Sequence, residues 1–167
     1  MKIYLRALEK SDVNETYLSW LNDPEVTKYM ETGRLPVTME QLEKYYEEIT
    51  NSPNHVIFAI IETETDKHIG NITLNDINWI HSNANLGIMI GEKDCWGKGY
   101  GTKAIGLAID YAFMKLNIMK VWAGMYANHK ASIRAFEGAR FTKEAELRKE
   151  LYLNNEYHNK VIMSIMR

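Results

Sequence analysis

Three glycines at alternate positions constrain this chain more than any other feature. Gly97, Gly99 and Gly101 lie between a short apolar stretch that predicts a strand and a long one that predicts a helix. Glycine permits positive φ and close approach of the backbone to a ligand. A helix starting here adds unpaired N–H groups and partial positive charge, and Lys98 and Lys103 add more. The segment favours a phosphate or pyrophosphate site; a tight strand–helix turn without a ligand is the alternative.

The common nucleotide fingerprints do not fit this loop. Walker A requires Gly-x-x-x-x-Gly-Lys-Ser/Thr, a pattern that the loop lacks. The dinucleotide pattern Gly-x-Gly-x-x-Gly would need a glycine at position 102 or 104, where the chain has Thr102 and Ala104. An ordinary ATP or NAD loop is therefore not expected.

Apolar periodicity predicts seven strands and four helices. The predicted strands cover residues 3–7, 56–61, 68–74, 83–90, 118–126, 141–153 and 157–166. Ser11 is the predicted cap of the first helix, and Thr38 with Gln41 forms a capping box for the second. The last two helices cover residues 99–116 and 131–138. The fold class is α/β (α+β), a mixed, mostly antiparallel sheet covered by helices.

Length and charge limit the function classes. The 167 residues predict a single domain, 1–167. With 20 basic and 22 acidic side chains, the chain has no general field for nucleic acid or a membrane surface. Its one cysteine, Cys95, suits a reducing compartment, and the histidines lack metal-ligand spacing. The charged start is unlike a signal peptide, so we expect a cytoplasmic protein without a metal.

Residues 97–102, Gly-Lys-Gly-Tyr-Gly-Thr, resemble the acyl-CoA loop of the GCN5-related N-acetyltransferases (GNAT family), whose signature is Arg/Gln-x-x-Gly-x-Gly/Ala. Trp96 stands where Arg or Gln is usual. The Trp-Gly-Lys-Gly-Tyr-Gly form is similar to the RimJ/RimL-like branch. Five further segments, residues 5–9, 20–26, 84–91, 126–137 and 154–159, resemble that branch in the same order.

The resemblance implies an acetyl-CoA-binding fold with a V-shaped cleft between two parallel strands, which end near Ile90 and Tyr126. The main chain of Met89 and Ile90 would pair with the pantetheine arm, and Asn128 or His129 would contact it. Backbone N–H groups would hold the pyrophosphate along the loop, which consists of Gly97, Lys98, Gly99, Tyr100, Gly101 and Thr102.

The implied reaction is direct attack of a neutral amine on the thioester. Asn85 and Phe136 occupy positions where many relatives carry an acidic residue and a tyrosine, and neither can transfer a proton. Ser132 matches the family's serine at the cofactor sulfur, and Tyr126 is a second candidate acid. Glu150 is the candidate base, with Glu25, Glu31 and His81 left open. A catalytically silent acyl-CoA-binding module is the alternative function.

The acceptor is expected against the first helical pair, the third strand–strand connection and the closing hairpin. Its predicted contacts are Trp20, Asn22, Tyr29, Trp79 and His81. These side chains suit the primary amine of a small molecule such as an amino sugar, or a peptide terminus. Residues 20–26 also resemble acetyltransferases of nucleotide-linked amino sugars. A polyamine would call for a carboxylate cluster that the sequence does not locate, and a homodimer is a further possibility that the resemblance raises.

Overall fold

The computed structural model describes residues 2–167 as one seven-stranded sheet with helices on both faces. The strands are β1 (Ile3–Ala7), β2 (Val56–Glu62), β3 (Lys67–Asn78), β4 (Asn83–Ile90), β5 (Lys120–Tyr126), β6 (Thr142–Leu153) and β7 (Glu156–Met166). The helices are α1 (Glu15–Leu21), α2 (Met39–Asn51), α3 (Tyr100–Met114) and α4 (Lys130–Gly138), with short 3₁₀ turns at Lys10–Asp12 and Lys93–Cys95.

The strand order across the sheet is β1-β2-β3-β4-β5-β7-β6. Every neighbouring pair is antiparallel except β4 and β5. α3 and α4 cover one face, where Ile72, Ile105 and Val121 are fully buried. α1 and α2 cover the other face, packing Trp20 and Leu42 against β2 and β4. The predicted mixed, mostly antiparallel sheet is confirmed.

The only parallel pair in the described chain separates soon after it begins. β4 and β5 are paired over three residues each, from Asn83 opposite Lys120 to Asn85 opposite Trp122. Beyond that point β4 keeps its partner β3 and β5 keeps its partner β7. The two strands therefore diverge toward Ile90 and Tyr126 and leave a V-shaped cleft, as the family resemblance implied.

The element boundaries depart from the prediction most at the first helix and at the end of β3, which extends to Asn78 instead of ending at Leu74. The first helix begins at Glu15 and is capped by Asn14, whose side chain accepts from two backbone N–H groups; Ser11 lies in the preceding 3₁₀ turn. Both residue types are good caps, so composition alone could not choose between them. The capping box of Thr38 and Gln41 is present as predicted. No helix in residues 2–167 has the length and apolar character to cross a bilayer.

Candidate active site

The splayed half of β4 has one backbone edge without a strand partner. Gly91 donates its N–H to the Ile69 carbonyl of β3. Because backbone groups alternate between the two edges of a strand, Met89 points to β3 as well, and Ile88 and Ile90 point into the cleft. An extended ligand arm could pair with this edge as an added strand does.

The loop after β4 has the backbone conformation that its glycines suggested. Gly97 and Gly99 have φ of +71° and +81°, and Gly99 is the N-cap of α3. A Cβ built at either residue would meet nothing within 4 Å. The glycines are therefore required by backbone angle, and the space above them is open for a ligand. A Cβ at Gly101 would make only an ordinary contact, 3.9 Å from the Cβ of Ala135.

Side chains behind the loop hold it in place. The Trp96 indole donates to the Ile90 carbonyl at 2.8 Å. Trp20 packs directly on Gly91, since a Cβ there would lie 2.0 Å from its ring, and its Nε1 donates to Glu92 at 3.2 Å. Lys67 pairs with the other oxygen of Glu92 at 2.7 Å. The resulting support is rigid, so the N–H groups at the start of α3 are preorganised.

The Tyr100 side chain is part of this support and not of the open surface. Tyr100 is 5% exposed, and its hydroxyl donates to Glu62 of β2. That hydrogen bond and burial raise the pKa of Tyr100 to about 12. Of the predicted loop residues, Tyr100 can therefore offer a ligand only its backbone, whereas Lys98 has an exposed side chain.

At the end of β5, the Tyr126 hydroxyl already has two partners. It donates to the Tyr152 carbonyl at 3.0 Å and accepts from Arg34 at 3.3 Å, and Arg34 also binds that carbonyl at 2.8 Å. These bonds tie the α1–α2 connection to the β6–β7 hairpin. Because its hydroxyl is already engaged, Tyr126 is better placed to position the hairpin than to donate a proton.

The start of α4 places Ser132 against β5. Its Oγ donates to the Met125 sulfur at 3.6 Å, which is a weak interaction that a better acceptor would displace. His129 stacks on Tyr29, with ring centroids 4.1 Å apart, and burial together with Lys28 lowers its pKa. Asn128 faces His158 at 3.4 Å. Ser132 thus keeps the freer hydroxyl of the two candidate acids.

A cavity of about 380 Å³ lies between α1, α2 and the strands β2 to β4, and we call it the α1–α2 cavity. Its wall includes Ile88, whose backbone groups face the cleft. The lining residues are Tyr17, Leu21, Met30, Thr32, Val37, Gln41, Leu42, Tyr45, Ile57, Asn71, Thr73, Gly87, Ile88 and Met89. None of them is acidic or basic. A neighbouring hollow of about 510 Å³ is lined by the connection itself, residues 31–37, and by Gln41.

Most predicted acceptor contacts lie outside this cavity. Trp20 is 5% exposed in the core beneath the loop. The Asn22 side chain donates to the Val37 carbonyl and accepts from the Val37 N–H, each at 2.9 Å. Trp79 and His81 are exposed before β4, at the closed end of the V. Of the five, only Tyr29 lies by the end of β5, where its ring packs against Tyr126.

The carboxylates considered as bases are poorly placed for that role. Glu25 is paired with Lys93 at 2.7 Å. Glu150 is exposed on the edge strand β6, beside a register irregularity, and is not among the lining residues. Glu31 lines only the neighbouring hollow. Burial, with Glu62 and Glu92, raises the pKa of the Cys95 thiol, which disfavours an acetyl-cysteine route.

The polar wall of the cavity was missed by the sequence reasoning. Asn71 and Thr73, which line the cavity, alternate with Ile72 and Leu74 along β3. Strict alternation normally marks a solvent-facing side. In the structure α1 and α2 cover this polar face. The alternation was the signal in the sequence, but it does not show that the polar face is covered.

A splayed parallel pair beside a glycine loop that caps a helix is the arrangement that the family resemblance implied for an acyl-CoA-dependent transferase. The acetyltransferase (GNAT) domain model matches residues 2–142, and the chain belongs to this family. The chain is therefore an N-acetyltransferase with acetyl-CoA as co-substrate, as the sequence predicted.

Three relatives illustrate the likeness. An uncharacterized N-acetyltransferase, p20 of Bacillus licheniformis, is 31% identical over 88% of this chain and 83% of its own length. Spermidine N(1)-acetyltransferase of Escherichia coli K12 is 28% identical over 99% of this chain and 86% of its own. The crystal structure of spermidine N-acetyltransferase from Vibrio cholerae with CoA and spermine has a TM-score of 0.89 at 26% identity, covering 98% and 95% of the two chains. Membership of the RimJ/RimL-like branch is not shown, because the relatives with a named substrate here are spermidine acetyltransferases.

Proposed function

We propose that this enzyme acetylates the primary amine of a small, oxygen-bearing acceptor such as an amino sugar. The observation that carries the proposal is the absence of charge from the α1–α2 cavity, whose polar lining consists of amides and hydroxyls. Such groups match a sugar's hydroxyls. Enclosing the remaining ammonium groups of a polyamine without carboxylates would be costly.

The residues of the loop and cleft fit the co-substrate. The backbone N–H groups of residues 97–102 would hold the pyrophosphate. The cleft edge of β4, at Ile88 and at the N–H of Ile90, would pair with the pantetheine arm, since Trp96 already binds the Ile90 carbonyl. Alternation along β4 favours Ile88 over the Met89 that the sequence suggested. When bound, acetyl-CoA supplies the acetyl group on a thioester that the amine attacks directly.

The proposed reaction needs few proton-transfer groups from this chain. An alkyl amine has a pKa of about 10 and is mostly protonated at neutral pH, so it must lose a proton before it attacks. No lining residue of the cavity is a carboxylate, so water in the open cleft is the simplest acceptor for that proton. The departing thiolate takes up the proton that the nitrogen loses as the amide forms. The Ser132 hydroxyl, held only by a sulfur, can stabilise that thiolate by donating a hydrogen bond to it. Positioning of the two substrates would supply most of the rate.

The Ser132→Ala variant tests that assignment. We expect kcat to fall about tenfold while the Kd for acetyl-CoA stays unchanged, because one proton donor is lost and no binding contact is removed. Thiol release and calorimetric titration measure the two quantities. Tyr126→Phe, whose hydroxyl is already engaged by the hairpin, is the comparison and should lower kcat less. A larger loss in Tyr126→Phe than in Ser132→Ala would reverse the two roles.

A polyamine is the second candidate acceptor, and the named relatives favour it. Release of CoA thiol should be measured with an amino sugar, spermidine and a peptide as acceptors. We expect the highest kcat/KM with the amino sugar. A higher value with spermidine would replace our proposal by the second candidate. Acetyl-CoA binding without thiol release on any amine would instead support a catalytically silent module.

A further inference from the structure

The imidazole of His129 lies at the open end of β5, and its nitrogens are not used within the protein. His129 is the N-cap of α4, and its backbone N–H donates to the Tyr126 carbonyl at 2.9 Å. The ring stacks on Tyr29 of the α1–α2 connection, with the two planes 17° apart. Stacking engages the face of the ring and leaves its edge, where both nitrogens lie. Neither nitrogen hydrogen-bonds to any residue of 2–167.

His129 adjoins both halves of the proposed active site. The Ile133 N–H donates to the His129 carbonyl at 3.2 Å, so His129 belongs to the first turn of α4. Ser132, proposed to meet the departing thiolate, is three residues further on, and residues three apart lie on the same side of a helix. On its other side, His129 stacks on Tyr29, and the next residue of the connection, Met30, lines the α1–α2 cavity.

The surroundings of His129 keep its ring neutral. Burial, followed by the Lys28 ammonium, lowers the pKa of His129. Lys28 lies over the Tyr29 ring, with its Nζ 5.2 Å from the centroid. The titratable groups on the elements around the ring are Lys28 and Tyr29 from the connection, Tyr126 from β5, His158 from β7 and Lys130 from α4. None of these five is a carboxylate. A neutral imidazole has one nitrogen with a free lone pair, so this ring is ready to accept a proton at neutral pH.

We infer that His129 accepts, through one water molecule, the proton that the ammonium group of the acceptor must lose before it attacks the thioester. The water in the cleft takes the proton from nitrogen and passes one of its own to the imidazole. The amine then attacks the carbonyl carbon, the C–S bond breaks, and the thiolate takes up the second proton that the nitrogen loses. The imidazolium finally releases its proton to solvent. The inference rests on the proposed attack by an amine, and it holds for either candidate acceptor.

The test is the pH dependence of kcat in His129→Phe, which keeps an aromatic ring beside Tyr29 and removes both nitrogens. Thiol release is measured with acetyl-CoA and an amino sugar, and with spermidine in parallel. We expect kcat at pH 7 to fall at least about a hundredfold, because a proton acceptor is lost. The Kd for acetyl-CoA, measured by calorimetric titration, should change less than about tenfold.

The shape of the pH profile separates proton transfer from a structural role. In the wild type, kcat should fall as the pH drops through the lowered pKa of His129, below about 6.5, because the protonated ring cannot accept. In His129→Phe, kcat should instead rise about tenfold per pH unit from pH 6 to 9, because only the amine that is already deprotonated reacts. A wild-type kcat, or a lower kcat with the wild-type profile, would overturn the inference.

Two further variants complete the test. His129→Gln keeps hydrogen-bonding groups but no basic nitrogen, so it should show the same loss and the same profile as His129→Phe. Full activity in His129→Gln would mean that the residue only binds the cofactor arm, and would overturn the inference. His55→Phe is the matched control, since His55 binds Ser52 at 2.8 Å ahead of β2, and it should keep the wild-type kcat and profile. A wild-type enzyme that releases no thiol with any amine would contradict the proposed function itself.

Discussion

Gly99→Val is expected to weaken acetyl-CoA binding by at least about a thousandfold, which corresponds to two or more lost hydrogen bonds to a charged group. Gly99 has a φ of +81°, a conformation that a β-branched residue does not adopt without strain. Valine would turn the N–H groups at the start of α3 away from their present directions. Calorimetric titration of purified protein with acetyl-CoA measures the loss.

Two controls separate backbone angle from added bulk. Gly106→Ala adds a Cβ inside α3 where nothing lies within 4 Å, and it should bind acetyl-CoA as the wild type does. Gly99→Asn adds a side chain that tolerates positive φ, so its affinity should lie between those of the wild type and Gly99→Val. Wild-type affinity in Gly99→Val, with the fold intact, would show that the pyrophosphate is bound elsewhere.

Trp20→Ala is expected to lower the free energy of unfolding by about 3–5 kcal/mol, the usual cost of removing a buried aromatic side chain. Trp20 packs on Gly91 and bonds Glu92, so its loss also removes support from the glycine loop. Chemical denaturation followed by fluorescence or circular dichroism measures the change.

Trp79→Ala is the matched control for Trp20→Ala. Trp79 is 51% exposed and makes one hydrogen bond to Asn54. Its removal should cost less than about 1 kcal/mol, as is usual for a surface change. Were Trp20→Ala to keep full stability and raise only the KM for the acceptor, Trp20 would be an acceptor contact after all and not a support of the loop.

The sequence predicted the sheet and its cleft well because their signals are local. Runs of apolar residues marked β2 and β4, and the glycines marked the turn into α3. Gly97 and Gly99 have a positive φ, which few other residues adopt. The presence of glycine at these positions was therefore enough to predict the turn. Family resemblance supplied the splayed pair, which no periodicity encodes.

The acceptor side could not be predicted in the same way, because it depends on packing between distant elements. Trp20 and Asn22 were chosen as polar or aromatic residues near the first helix, and in the structure one supports the loop and the other binds the backbone of Val37. Asn71 and Thr73 were overlooked as cavity-lining residues because polar residues in a strand are unremarkable until α1 and α2 are known to cover them. Burial and orientation decide such roles, and a linear pattern carries neither.

A crystal structure with CoA and an amino sugar would test the central claim most directly. We predict the pyrophosphate on the backbone N–H groups of residues 97–102 and the sugar in the α1–α2 cavity, with its hydroxyls against the amides and hydroxyls of the lining. A sugar bound outside that cavity would contradict the account.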